Sequence, residues 1–190
     1  MAQFNKAYKQ LQDDEFSSIP ERFLHKNKGE KGFTLGGIYE VANPNKIDWG
    51  FVKSLHLMCG HDIERTSKML FYDDVIQSQV YGIFERYYWD KIRLSEIHSQ
   101  RIASELFDRA VLSGRVVAVK IAQRVIDVKV DGILGEKTLK ALNCYNEDLF
   151  DRQYDDFEEE FIEEVIKSKA KHGINLERYR VGWRGRARRT

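Results

Sequence analysis

The sequence predicts an all-α fold. The chain has 190 residues and only two prolines, so few positions interrupt a helix. Apolar side chains recur at every third or fourth position through much of the chain, which is the spacing of amphipathic helices. Residues suited to helix ends stand at the borders of these stretches: Asp48 and Asn146 as N-caps, and Gly114 as a terminator.

The first helix is predicted over residues 4–15. Phe4, Tyr8 and Leu11 lie on one stripe of a helix, and Glu15 continues the same stripe. A carboxyl group pressed against a core has a raised pKa, which suits a general acid. The alternative is that the helix ends before Glu15 and that its side chain is solvated.

Residues 16–45 are polar and rich in glycine, and we expect a long ordered loop there. Loops of this length without secondary structure are usually functional sites or linkers. Further helices are predicted over residues 48–57, 61–72, 73–90, 99–113, 116–126 and 146–171, with another starting near residue 136. The helix over 99–113 is expected to be central and buried.

The helix over residues 146–171 is expected to bury an apolar face and to expose its acidic residues. The predicted face comprises Phe150, Tyr154, Phe157, Phe161 and Val165. The acidic run over residues 155–164 is typical of a solvated helix face.

Composition excludes several classes of protein. With 31 basic and 30 acidic side chains, the net charge of +1 provides no general attraction to nucleic acid or membranes. Two cysteines are too few for a disulfide framework. The N-terminus lacks the apolar core of a signal peptide, and no apolar stretch is long enough to span a membrane. We therefore expect a soluble protein synthesised in the cytoplasm.

Two groups of residues resemble metal sites, but each lacks some of the ligands that such a site needs. His56, Cys59 and His61 lie close together without a fourth ligand at a suitable spacing. The segment from Asp127 resembles a calcium loop, but Lys129 and a threonine occupy positions that need liganding oxygens. We expect no metal and no cofactor.

The C-terminal tail is strongly basic. Arginines at positions 178, 180, 184, 186, 188 and 189 alternate with Tyr179 and Trp183, a pattern able to grip phosphate or stack on bases. Because no nucleic-acid-binding fold surrounds the tail, a nucleic-acid partner is not expected. Alternatively, the tail binds an anionic cell-wall polymer or is simply exposed to solvent.

Five elements in order give the chain a family resemblance. They are Glu15 followed by Gly32–Ile38, the pair Tyr88–Trp89, the segment Asp108–Gly114, Gln123 with Asp131–Leu139, and Gly182–Arg186. Together they resemble the glycoside hydrolase family 108 muramidases, which are lysozyme-like phage endolysins and secretion-associated cell-wall hydrolases. The resemblance implies a lysozyme-like catalytic lobe over residues 1–114. It also implies a helical, peptidoglycan-binding type of lobe over residues 115–190.

The resemblance also implies roles for individual residues. Glu15 would be the general acid, and Thr34 would position a water. Glycoside hydrolysis also needs a second group, and Glu30, as the nearest carboxylate in the loop, is the candidate base or electrostatic partner. The alternative is a solvated side chain, and Glu21 is a weaker candidate of the same kind. The substrate-binding residues would be Gly36, Gly37, Tyr88 and Trp89, although core packing is the alternative for the two aromatic residues. The chain departs from the family in the loop between Glu15 and Thr34, which is longer here.

The expected activity is hydrolysis of the peptidoglycan glycan strand between N-acetylmuramic acid and N-acetylglucosamine. Peptidoglycan is the expected partner. Without a signal peptide, a holin or an export system would deliver the enzyme to the periplasm and cell wall. The alternatives are a lytic transglycosylase, a non-catalytic wall-binding or secretion-accessory protein, and a nucleic-acid binder acting through the tail.

Overall fold

The computed structural model describes residues 1–13 and 19–187 and is mostly helical, which confirms the predicted fold class. The α-helices are α1 Phe4–Leu11, α2 Trp49–Met58, α3 Ile63–Phe71, α4 Asp74–Phe84, α5 Gln100–Ser113, α6 Arg115–Val125, α7 Glu136–Cys144, α8 Glu147–Lys171 and α9 Arg180–Ala187. A π-helical turn covers Glu85–Trp89, and 3₁₀ turns cover Pro20–Arg22, Asp90–Ile92, Leu94–Glu96 and Glu177–Tyr179. No helix in the described ranges is long and apolar enough to cross a membrane.

The predicted helix caps are confirmed. The Asp48 side chain accepts a hydrogen bond from the backbone N–H of Phe51 at 2.9 Å. Asn146 accepts one from Leu149 N at the same distance. Each cap satisfies a donor that the first turn of a helix leaves without a partner. Gly114, with φ +93°, ends α5, as its position predicts.

The prediction of a loop without secondary structure over residues 16–45 is wrong in its central part. Three short strands form an antiparallel sheet in the order β1 Leu24–His25, β2 Thr34–Leu35 and β3 Ile38–Tyr39. Each strand has two residues, which is too short for an alternating pattern to be recognised in the sequence. Glu15 lies outside the described residues, so its place on the helix stripe stays a prediction.

The chain forms two compact units, residues 8–87 and residues 1–7 with 88–190. In the first, the Tyr8 ring lies 5.0 Å from Tyr81 and 5.7 Å from Phe84. The largest fully buried side chains of the second unit are Trp89, Leu94, Ile97, Phe107, Phe150 and Tyr154. The proposed division into lobes at residue 114 rests on family resemblance and stays a prediction.

The buried face of α8 differs from the predicted one. It consists of Phe150, Tyr154, Glu158, Ile162 and Ile166. The predicted members Phe157, Phe161 and Val165 are only half-buried. The shift brings a carboxylate into the core, where Glu158 forms an ion pair with the buried Arg109 of α5. The acidic run is therefore not simply a solvated face.

Candidate active site

Thr34 lies on the middle strand of the small sheet. It pairs with His25 of β1 on one side and with Tyr39 of β3 on the other. The next residue, Leu35, is fully buried, and its partner Ile38 is also buried. Because successive side chains of a strand point to opposite faces, burial of Leu35 directs the half-buried Thr34 to the other face.

The turn between β2 and β3 explains the two adjacent glycines. Gly36 and Gly37 have φ values of +51° and +78°. A two-residue hairpin turn with positive φ at both positions is of the primed type that glycine favours. A Cβ atom on Gly36 would lie 2.7 Å from the Phe23 ring, and the Gly36 N–H donates to Phe23 O at 2.8 Å. Gly36 is thus buried by close packing, whereas Gly37 is exposed at the hairpin tip.

Replacing Gly36 with alanine is expected to lower the free energy of unfolding by about 2–4 kcal/mol, because backbone strain and a steric clash add. Gly29→Ala is the matched control, since Gly29 also has positive φ (+89°) but nothing within 4 Å of its Cβ position. The control should cost only the strain, about 1–2 kcal/mol. Urea denaturation measures both. Equal losses in the two variants would contradict the close packing at Gly36.

The Glu30 side chain is held by hydrogen bonds from Asn27, three residues earlier in the same turn. Its carboxylate accepts hydrogen bonds from the side chain of Asn27 at 3.0 Å and from Asn27 N at 3.2 Å. The side-chain bond from Asn27 is the main reason that the pKa of Glu30 lies below its usual value. Glu21 forms an ion pair with Lys68 at 2.8 Å, and its pKa is lowered by that partner. Both carboxylates are therefore ionised at neutral pH, which fits a base or an electrostatic partner and not a proton donor.

Glu40 is a carboxylate in this region that sequence reasoning missed. It accepts a hydrogen bond from Phe33 N at 3.0 Å and forms an ion pair with Lys53 of α2. Although its burial acts in the opposite direction, these contacts hold the pKa of Glu40 below its usual value. The side chain of Glu40, only 14% exposed, thus anchors the residue before Thr34. Nothing in the spacing of these residues predicts the contact, because it joins a loop to a helix.

The region around His56 does not resemble a metal site. His56 Nδ1 lies 3.1 Å from Thr66 Oγ1, and its ring packs against Phe33 and His61 at 5.2 and 5.3 Å. Burial, and next the charge of His61, lowers the pKa of His56. The Cys59 thiol instead contacts the sulfur of Met69 at 3.6 Å. No group of three or more His, Cys, Asp or Glu residues in the described part of the chain could hold a metal ion.

Trp89 does not have the surface position that sugar binding requires, which corrects the prediction. Its side chain is 2% exposed and packs between Phe4 at 5.6 Å and Phe107 at 5.8 Å. A ring enclosed by other aromatic rings has no free face for a sugar. Core packing, the alternative considered for this residue, describes its position. Tyr88 is half-buried, and its role in binding stays a prediction.

A buried glutamine organises the turn before α7. Gln123 Oε1 accepts hydrogen bonds from Asp131 N and Gly132 N, at 3.0 and 2.8 Å. Its amide nitrogen lies 2.9 Å from the Asp131 carboxylate and 3.3 Å from Thr138 Oγ1. The Asp131 side chain therefore stabilises this turn. The segment that resembled a calcium loop is a structural connection between α6 and α7.

The basic tail docks on α8. Arg180 forms an ion pair with Glu163 at 3.2 Å, and Arg184 forms one with Glu159. The Tyr179 and Trp183 rings stack at 5.5 Å with an angle of 12° between their planes. These arginines therefore face the acidic side of α8.

A cavity of about 310 Å³ lies beside this docked tail. It is lined by residues of α5, α8 and α9: Arg109, Leu112, Ser113, Phe161, Ile162, Val165 and Trp183. Sequence reasoning did not find the cavity, because its walls come from α5 and from the α8 and α9 segments, which begin more than thirty residues later in the chain.

The family comparisons divide the chain into two matching regions. Residues 22–114 match the family model described as "Glycosyl hydrolase 108". Residues 102–188 match the model described as "Predicted Peptidoglycan domain". The small sheet lies within the first region, and the cavity lies within the second.

Among solved structures, the chain is similar to Brucella abortus SagA. The TM-score is 0.60 at 20% sequence identity, and the match covers 98% of this chain and 96% of that one. At this identity the likeness concerns the fold. No curated protein matches the sequence significantly.

Proposed function

We propose that this protein is a muramidase that acts on the glycan strand of peptidoglycan. The chain belongs to the glycosyl hydrolase 108 family through residues 22–114. Membership of that family makes the protein a glycoside hydrolase of the lysozyme type. With the peptidoglycan domain over residues 102–188, it is a peptidoglycan hydrolase. The bond that we assign joins N-acetylmuramic acid to N-acetylglucosamine.

Glu15 is our candidate for the general acid. The support is the buried stripe of α1, where Phe4, Tyr8 and Leu11 are each at most 7% exposed. Position 15 lies four residues beyond Leu11, the last residue of α1, and falls on the same stripe in the sequence pattern. A carboxyl group beside such a surface keeps its proton to higher pH and can donate it to the leaving glycosidic oxygen.

Thr34 is our candidate for positioning the attacking water. The observation that carries this assignment is the hairpin itself, which holds Thr34 between two paired strands. The Gly36–Gly37 turn follows it, and Glu40 bonds to the preceding residue. A hydroxyl on so constrained a strand can orient a water with little entropic cost. Attack by that water opposite the acid inverts the anomeric centre, which requires catalytic groups more than about 6 Å apart.

Glu30 and Glu40 are the ionised carboxylates nearest in sequence to this strand. Glu40 is occupied by Lys53 and Phe33 N, so we assign it to support of the strand. Within the described residues, the Glu30 carboxylate accepts hydrogen bonds only from Asn27, and we retain Glu30 as the electrostatic partner.

Peptidoglycan lies outside the inner membrane, so we propose that the enzyme is delivered to the periplasm through a holin or an export system.

Product analysis tests the proposed reaction. Purified sacculi are digested with the full chain, the products are reduced with borohydride, and the fragments are identified by mass spectrometry. We expect fragments ending in reduced N-acetylmuramic acid. Termini of 1,6-anhydro-N-acetylmuramic acid would show a lytic transglycosylase instead. Binding to sacculi without release of fragments would show a wall-binding protein.

A further inference from the structure

We infer that the 310 Å³ cavity between α5, α8 and α9 binds the peptide stem of peptidoglycan. The inference rests on the proposed function, since it identifies the part of the polymer that the C-terminal region recognises. All residues of the cavity wall fall within residues 102–188, the region that matches the peptidoglycan domain.

The walls of the cavity favour aliphatic groups over sugar rings. Five of the seven lining side chains are apolar: Leu112, Phe161, Ile162, Val165 and Trp183. A sugar ring carries hydroxyl groups that each need a hydrogen-bond partner when they leave water. For that purpose the lining residues offer one hydroxyl, one guanidinium and the indole N–H of Trp183. The methyl groups of alanine residues, which peptidoglycan stems contain, need no such partners.

The polar part of the wall is suited to an amide group. Arg109 is 5% exposed and forms two hydrogen bonds with the Glu158 carboxylate and a third, at 3.2 Å, with Ser113 Oγ. Within the described part of the chain, these bonds use three of its five N–H groups, and one on each terminal nitrogen is available. A carbonyl oxygen of the ligand can accept a hydrogen bond there.

Electrostatics favour a neutral amide over a carboxylate at this position. The charge of Arg109 is already balanced by Glu158, so an incoming carboxylate would leave one negative charge without compensation. Glu159 and Glu163, on the same helix, are likewise engaged by the arginines of α9. The first amide of a peptide stem, which links L-alanine to the γ-carboxyl group of D-glutamate, is neutral and adjoins a methyl group, so it meets this requirement.

The tail forms one wall of the cavity. Arg180 and Arg184 fasten α9 to α8 through Glu163 and Glu159, and Trp183 between them lines the cavity. The stacked Tyr179 ring supports that of Trp183. The half-buried indole can thus cover an aliphatic ligand in the cavity.

Calorimetric titration of the full chain tests the site. The probe is the tetrapeptide L-alanyl-γ-D-glutamyl-L-lysyl-D-alanine. We expect saturable binding of the tetrapeptide. Val165→Phe, which fills the cavity, should weaken that binding at least tenfold. Val116→Phe is the matched control, since Val116 is 56% exposed on α6 and outside the cavity, and its affinity should equal that of the parent.

A second variant keeps the test decisive if Val165→Phe fails to fold. Trp183→Ala removes a half-buried wall and should also weaken tetrapeptide binding at least tenfold, with folding checked by thermal melting. Failure of the parent to bind the tetrapeptide would overturn the inference, as would unchanged affinity in a folded cavity variant. Tetrapeptide binding without release of reducing ends from sacculi would contradict the proposed function alone. Release of reducing ends without tetrapeptide binding would contradict this inference alone.

Discussion

Glu15→Gln is expected to reduce the release of reducing ends from peptidoglycan by about 10²–10⁴-fold, the contribution of a positioned general acid. Glutamine preserves the size of the side chain but cannot donate a proton to the leaving oxygen. The thermal midpoint should stay within a few degrees of the parent, because the change removes an ionisable group and adds no volume. A reducing-sugar assay on purified sacculi measures the effect.

Asp13→Asn is the matched control for this experiment. Asp13 is exposed, and it lies two positions before Glu15 and off the buried stripe. Its amide variant should therefore keep full activity. If Glu15→Gln released reducing ends as fast as the parent, the acid would have to be sought elsewhere. Equal losses in both variants would indicate a general effect of charge and would contradict a specific role for Glu15.

Breaking the Arg109–Glu158 pair is expected to lower the free energy of unfolding by about 3–5 kcal/mol, because it leaves a buried charge without its partner. Both side chains are 5% exposed, and two hydrogen bonds join them. Although its burial acts in the opposite direction, the hydrogen bonds and charge of Glu158 raise the pKa of Arg109 above its usual value. Without Glu158 this support is lost, but a guanidinium keeps its proton at neutral pH in a protein, so Arg109 stays cationic in the single variant Glu158→Leu. Urea denaturation followed by circular dichroism measures the loss.

Two comparisons separate the buried pair from other effects of substitution. Arg109→Met with Glu158→Leu removes both charges and should regain most of the stability lost in either single variant. Glu160→Gln breaks the exposed pair with Arg124, joined at 3.1 Å, and should cost about 1 kcal/mol or less. If Glu158→Leu cost no more than Glu160→Gln, the pair would not have the energetic role that its burial implies. A double variant as unstable as the sum of the single variants would contradict coupling between the two charges.

Local pattern was sufficient for most of the helices. The predicted range 48–57 became Trp49–Met58, and 146–171 became Glu147–Lys171, with the expected caps at Asp48 and Asn146. Helix periodicity and capping depend on residues within a few positions of one another, so a single sequence contains the signal. The three strands lacked such a signal because each has only two residues, and hydrogen bonds between distant segments define them.

The candidate site shows the same division. The segment with Thr34, Gly36 and Gly37 was identified through the family resemblance, but the hairpin that it forms was not predicted, because strands of two residues leave no alternating pattern. The support that Glu40 gives to this segment could not be predicted from the sequence, because it depends on an ion pair with Lys53, thirteen positions away on α2. Trp89 was ambiguous from sequence, because an aromatic ring suits both a core and a sugar-binding surface. Its contacts with Phe4 and Phe107 in the folded protein place Trp89 in the core.

The sequence by itself therefore determined the helical class, most helix boundaries and, through an ordered series of short motifs, the family. Tertiary structure alone decided which face of α8 is buried, because the ion pair with Arg109 makes the burial of Glu158 tolerable. It also decided that the basic tail meets acidic partners, and that α5, α8 and α9 enclose a cavity. The physical reason is range: capping, periodicity and turn conformation act between neighbours in the chain. Charge pairing and cavity walls join residues that only folding brings together.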